Sequence, residues 1–128
     1  VEEDDVIQAC DLVNAHKFIG SLPGGYNYEI YDNGVNLSGG QRQSIALARC
    51  LLRKPKIMVL DEPTSSMDSN AEKMIINNLF NLDYNPTILI STHKLSYLLN
   101  VDKVALIVDG RLQNFGHPSQ IIKVNNDD

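Results

Sequence analysis

The feature that most constrains this chain is a Ser-Gly-Gly step at the predicted start of a helix. The motif around it comprises Leu37, Ser38, Gly39, Gly40 and Gln41. Ser38 and Gln41 have the spacing of a capping box, so a helix is expected to begin here. The first helical turn has unpaired N–H groups, and glycine lets an anion approach them closely. The motif therefore predicts a phosphate-binding site; the alternative is a glycine-rich helix start without a ligand.

The apolar run 57–60 predicts a strand covered on both faces, because apolar and polar residues do not alternate in it. The run ends in Asp61 and Glu62, where open α/β sheets bind their ligands. Asp61 suits Mg²⁺, which prefers hard oxygen ligands. Glu62 suits a general base that orients an attacking water. Together with the phosphate site, these acids indicate nucleotide hydrolysis; the alternative is that they only end the strand before Pro63.

A histidine follows the next predicted strand, which covers residues 87–90. His93 is expected to point into the same crevice as Asp61 and to contact a terminal phosphate. The alternative is an ordinary surface histidine. His16 and His117 lack such a position, and both are predicted to be surface residues.

Strands that alternate with helices predict an α/β fold, with a mainly parallel sheet and helices on its faces. Ser69 and Glu72 have the spacing of a second capping box. Asp109 and Gly110 predict a hairpin, and the tail 125–128 is expected to fray. Helices are predicted over about 5–19, from 38 to no further than 54, after 69, over 94–100 and after Pro118.

The composition limits the partners. The chain has 128 residues, one domain at most. Its net charge of −5 and the lack of a basic cluster make nucleic acid a poor partner, and none is expected. No apolar stretch approaches the roughly 20 residues of a membrane span, and from the acidic first residues no signal peptide is expected. Cys10 and Cys50 are predicted to be reduced thiols of a cytosolic protein. The first residue, Val1, favours a piece of a longer chain.

In this order, these elements resemble the C-terminal half of an ATP-binding domain of the ABC transporter type. Residues 37–41 match the signature motif of that family letter for letter. Residues 57–62 resemble its Walker B strand with the catalytic glutamate, and residues 65–68 resemble its D-loop. His93 falls at its switch histidine. The resemblance covers nearly the whole chain.

The resemblance implies a partial P-loop NTPase domain with part of the helical subdomain and a C-terminal β-hairpin. Residues 1–54 would be the helical and signature region, and residues 55–128 the part from Walker B to the C-terminal core. ATP and Mg²⁺ are the implied cofactors, and a second ABC ATPase domain is the implied partner in a head-to-tail dimer. Two sets of residues follow from this: Leu37, Ser38, Gly39, Gly40, Gln41 and Asp68 act across the interface, whereas Asp61 (metal), Glu62 and His93 (catalysis) act on the chain's own ATP.

The largest departure of the chain from the family pattern is a missing motif. No Gly-x-x-x-x-Gly-Lys-Ser/Thr sequence occurs in the 128 residues, so the Walker A part is absent. The chain alone is therefore expected not to hydrolyse ATP. Since part of the core sheet would be missing, a bare sheet edge or face, with self-association or moderate stability, is also expected.

The resemblance further implies that the parent is an exporter. Segment 22–34, which includes Glu29, looks like the loop of exporter-type domains that touches the membrane subunits. Segments 62–68 and 93–111 are similar to those of bacterial type I secretion and peptide or bacteriocin exporters. The implied parent has a transmembrane domain as partner, lies at the cytoplasmic face of the membrane and exports a peptide or protein. Two alternatives stay open: a non-transport ABC ATPase of the DNA-repair or translation type, and a non-catalytic fragment that completes a partner's site.

Overall fold

The structure, a computed structural model, describes residues 1–121, which divide into two compact units, Val1–His93 and the residues from Lys94 on. The first unit contains the helices α1 (Glu3–Leu12), α2 (His16–Ser21), α3 (Gly39–Leu52) and α4 (Ser69–Phe80) and the strands β1 (Ile57–Asp61) and β2 (Thr87–Ser91). The second contains a 3₁₀ helix (Leu95–Leu99) and the strands β3 (Val104–Val108) and β4 (Arg111–Gly116). In the part of the chain described, no helix combines the length and apolarity of a membrane span.

The first helical segment is interrupted, so the prediction of one helix over 5–19 is wrong. α1 ends because Asn14 adopts a left-handed conformation with φ 61°. The N–H of Ala15 donates to the carbonyl of Cys10 (2.7 Å), and the N–H of Asn14 donates to that of Asp11 (3.3 Å). These two bonds form a Schellman motif, which closes a helix C-terminus. The turn lets α2 start in a new direction two residues later.

Helix α3 begins and ends as predicted. Ser38 is its N-cap, and the capping box with Gln41 is complete. The helix ends at Leu52, before Pro55, whose ring cannot continue a helix. The face of α3 that carries Leu47 and Leu51 is buried with α1, α4 and β1 in one hydrophobic core. This packing positions the start of α3.

Strands β1 and β2 pair in parallel, with Asp61 opposite Ser91, which confirms the predicted parallel arrangement. The prediction that β1 is covered on both faces is wrong within the described residues. Met58 faces the core, but Ile57 and Val59 are 67% and 71% exposed. On the same face of β2, Leu89 is 63% exposed. The expected bare sheet face is therefore present.

Helix α4 packs the predicted apolar stripe, since Ile75, Ile76 and Leu79 are buried and Phe80 is half-buried. Its predicted capping box is wrong. The N-cap is Asp68, whose Oδ1 accepts the N–H of Ala71 at 2.8 Å. Glu72 is instead buried and accepts the hydroxyl of Thr64 at 2.9 Å. Helix α4 therefore begins one residue earlier than it would with Ser69 as the N-cap.

The second unit confirms the predicted hairpin. β3 and β4 are antiparallel, and the turn between them places Asp109 and Gly110 at φ 49° and 74°, as a type I′ turn requires. The helix predicted over 94–100 is a 3₁₀ helix. Residues 118–121 are helical, as predicted after Pro118. The predicted fraying of 125–128 lies outside the described residues.

Candidate functional site

The predicted phosphate site lies at the start of α3. The Ser38 Oγ accepts the N–H of Gln41 at 3.1 Å, and the Gln41 Oε1 accepts the N–H of Ser38 at 3.0 Å. The capping box thus uses two of the first-turn donors and leaves the N–H groups of Gly39 and Gly40 for an external acceptor. Leu37 is buried and anchors the motif, whereas Ser38 is exposed. The geometry suits an anion that binds the two glycine amides.

Packing also favours glycine here. A Cβ at Gly39 would lie 3.1 Å from the Ser66 Oγ, and a Cβ at Gly40 would lie 3.0 Å from the Ser66 carbonyl oxygen. The loop before α4 therefore lies directly against the first turn of α3. The two glycines thus serve close packing as well as ligand access.

This close approach predicts a difference between two glycine-to-alanine variants. Gly40→Ala should destabilise the 128-residue chain by about 1 kcal/mol or more, because the clash with the main chain outweighs the gain in helix propensity. Gly20→Ala, the control in α2, should stabilise it by roughly 0.5–1 kcal/mol, since no atom lies within 4 Å of its added Cβ. Urea unfolding measures both. Equal effects of the two variants would contradict the close packing.

A groove of about 220 Å³ opens between the start of α3 and the start of α4. Ser38, Gly40, Gln41 and Asp68 line it, together with residues of the turn after α1, of α2 and of the loop before α4. The structure thus brings four of the predicted cofactor-binding residues to one concave surface.

The other predicted residues meet at the carboxyl ends of β1 and β2. Glu62 Oε1 accepts the main-chain N–H of His93 at 3.1 Å, and Glu62 Oε2 accepts the Thr92 hydroxyl at 3.4 Å. The His93 Nε2 lies 3.6 Å from Glu62 Oε1, and the His93 side chain is almost fully exposed. Asp61 accepts a hydrogen bond from the Ser91 hydroxyl. The structure therefore brings Glu62 and His93 into contact and places Asp61 with Ser91 at the ends of the same two strands. His16 and His117 are exposed, as predicted.

Sequence reasoning missed Gln43, which joins the two halves of the site. Its side-chain amide bonds the loop that runs from Glu62 to Ser66. The sequence does carry a signal for this contact. At helical spacing, Gln43 and Ser44 lie on the same stripe of α3 as buried Leu47, although both are polar. Polar residues at positions that face the core are expected to have hydrogen-bond partners there. Which residues these partners are depends on the fold.

A separate cavity of about 190 Å³ lies among apolar side chains of α1, α2 and α3. Burial raises the pKa of the Cys10 thiol, against the opposing effect of its hydrogen bond with Tyr26. The pKa of Tyr26 is raised to about 12, mainly by burial and to a smaller extent by the nearby Cys10. The Tyr26 hydroxyl also lies 2.7 Å from the Nδ1 of His16. Both Cys10 and Cys50 are free thiols, and the raised pKa makes Cys10 a poor nucleophile.

Comparison with known proteins decides the family. Residues 4–65 match the family model described as ABC transporter. Over 97% of its length, the chain is 43% identical to ABC transporter B family member 14 of Arabidopsis thaliana. The chain belongs to the ABC transporter family. ABC transporter B family member 4 of Dictyostelium discoideum is 41% identical over 94% of the chain. Multidrug resistance protein 1 of Entamoeba histolytica is 39% identical over 95% of it.

A solved structure supports the same assignment. A bacterial Atm1-family ABC exporter with ATP bound matches 97% of this ABC chain with a TM-score of 0.90 and 29% identity. The chain covers 22% of that exporter chain. It spans 10% of the Arabidopsis relative, 16% of the Dictyostelium relative and 9% of the Entamoeba relative. The resemblance to an ABC ATP-binding domain and the α/β fold class are confirmed, whereas the type I secretion branch stays a prediction.

Proposed function

We propose that this chain is part of the ATP-hydrolysing motor of an ABC exporter. The observation that carries the proposal is the pairing of two half-sites in one unit: a capped helix start with two free glycine N–H groups, and an acid-ended parallel strand. Neither half-site forms a complete ATP site. Two of the relatives named above are ABC transporters and the solved structure is an ABC exporter, which favours this proposal over a DNA-repair or translation ATPase.

The strand-end half-site would act on the chain's own ATP. Glu62 would orient the attacking water and accept its proton, since the N–H of His93 and the hydroxyl of Thr92 hold its carboxylate. His93 would contact the γ-phosphate with its exposed ring. Asp61 and Ser91 present the hard oxygen atoms that Mg²⁺ prefers, and Mg²⁺, when bound, neutralises phosphate charge. Since Mg²⁺ in such sites is held by one or two carboxylates plus substrate phosphates, a larger acidic cluster is not needed.

The helix-start half-site would act on a partner's ATP. In a head-to-tail dimer, the N–H groups of Gly39 and Gly40, with the exposed Ser38, would bind the γ-phosphate held by the second ABC domain. Asp68 lines the same groove and would contact the partner domain across the interface. ATP would then hold the domains together. Hydrolysis would remove the bridging charge and release them, which is a switch driven by the ligand.

We further propose that the second partner is the transmembrane domain of the same transporter. The ATPase unit would then lie at the cytoplasmic face of the membrane. The exposed loop that carries Glu29 would contact the transmembrane domain. A peptide or protein is the proposed cargo, on the sequence similarity to exporters of that class.

The purified 128-residue chain is expected to show no measurable ATP hydrolysis, because it contains no Walker A lysine or phosphate-binding loop. Phosphate release from ATP and Mg²⁺ measures this directly, with the full-length transporter as the positive control. Turnover by the chain alone that disappears in its Glu62→Gln variant would contradict the division into two half-sites.

A further inference from the structure

The side chain of Gln43 makes three hydrogen bonds to one loop. Its Nε2 donates to the carbonyl of Glu62 at 3.2 Å and to the Oγ of Ser65 at 2.8 Å. Its Oε1 accepts the main-chain N–H of Ser66 at 2.9 Å. A single amide on α3 thus contacts both ends of the loop that begins with the proposed base.

The backbone of Glu62 needs such support. Its φ of 45° lies in the left-handed region, which costs a residue with a Cβ about 1–2 kcal/mol. The N–H of Glu62 donates to the carbonyl of Ser91 at 2.9 Å, and its carbonyl accepts the bond from Gln43. The conformation is therefore held from β2 on one side and from α3 on the other. Without the α3 contact, the carbonyl of Glu62 keeps the bond from the N–H of Ser65 (3.3 Å) in its own loop but is no longer tied to α3.

We propose that Gln43 is a positioning residue that sets the geometry of Glu62 from α3. The inference rests on the proposed function of Glu62. Gln43 lies one helical turn after Gly39 and Gly40, whose N–H groups would bind the partner's nucleotide. The helix that contacts one nucleotide thereby also orients the base that acts on the other. Gln43 couples the two ATP sites of a dimer within one chain.

The test uses Gln43→Leu and Gln43→Glu in the full-length transporter. Leu removes all three hydrogen bonds, whereas Glu keeps the acceptor for Ser66 but places a carboxylate oxygen against the carbonyl of Glu62. Both variants should lower kcat for ATP by about tenfold. The KM for ATP should change by less than about twofold, because the contacts that are lost do not touch ATP. The control is Gln8→Leu, an exposed glutamine on α1, which should leave kcat unchanged.

A double-mutant cycle separates positioning from general stability. If Gln43 acts through Glu62, Gln43→Leu should cause no further loss in a Glu62→Gln background, as measured by single-turnover hydrolysis of bound ATP. If Gln43→Leu lowers the hydrolysis rate by the same factor in the Glu62→Gln background as in the wild type, the proposal is overturned. An unchanged kcat in both Gln43 variants would also overturn it. If Glu62→Gln itself leaves turnover unchanged, the proposed function fails. If it lowers turnover while Gln43→Leu does not, only the role of Gln43 fails.

Discussion

Glu62→Gln in the full-length transporter is expected to lower steady-state ATP turnover by about 100-fold or more. The amide keeps an oxygen that can accept the N–H of His93, so the local structure should persist. It cannot take a proton from the attacking water, and the loss of a general base costs about 10²–10⁴-fold. Nucleotide should bind normally and stay trapped, because only hydrolysis releases it. Phosphate release and filter retention of labelled nucleotide measure the two effects.

The matched control for this experiment is Glu2→Gln, the same change at an exposed position before α1. It should leave both turnover and trapping at the wild-type level. Wild-type turnover in Glu62→Gln would remove Glu62 from the role of base. Loss of nucleotide binding in Glu62→Gln would instead assign this carboxylate to holding the nucleotide.

Mixed pairs of variants are expected to show that the half-sites act across the dimer. Ser38→Asp keeps a good N-cap but places a negative charge where the partner's phosphate would bind, so it should abolish hydrolysis at that site. A dimer with Glu62→Gln in one half and Ser38→Asp in the other contains one complete site. It should retain roughly half of the wild-type turnover. A dimer with both changes in the same half contains no complete site and should be inactive.

If Ser38 instead acts on the chain's own nucleotide, the dimer with the changes in different halves should be inactive, and the dimer with both changes in one half should be active. In that case, the half with both changes loses its site and the unchanged half stays active. The comparison needs only phosphate release from purified mixed dimers. Ser38→Asn is the matched control, because it also caps a helix but adds no charge, and its loss of turnover should be much smaller. Equal turnover in the two pairings would contradict a dimer-wide site.

Much of the site could be predicted from local sequence. The capping box of Ser38 and Gln41 is a contact within one helical turn, so its residues determine it without help from the rest of the fold. The placement of Asp61 and Glu62 after an apolar strand follows in the same way from chain order. The hairpin at Asp109 and Gly110 needed only the turn preference of those residues.

Other features depended on contacts between distant segments. The N-cap of α4 is Asp68 and not Ser69, because buried Glu72 bonds Thr64 and is not free to complete a capping box. The bare face of the sheet was expected because part of the core sheet is missing, and not from the apolar sequence of β1, since burial depends on what covers a strand.

By itself, the sequence determined where α3 begins, which acids end β1 and that a hairpin follows, because each of these depends on neighbours a few residues away. Only the tertiary structure decided that Gly40 packs closely against Ser66 and that Gln43 holds Glu62. The physical reason is that these contacts join segments far apart in the chain. The partners in such contacts exist only once the core has packed.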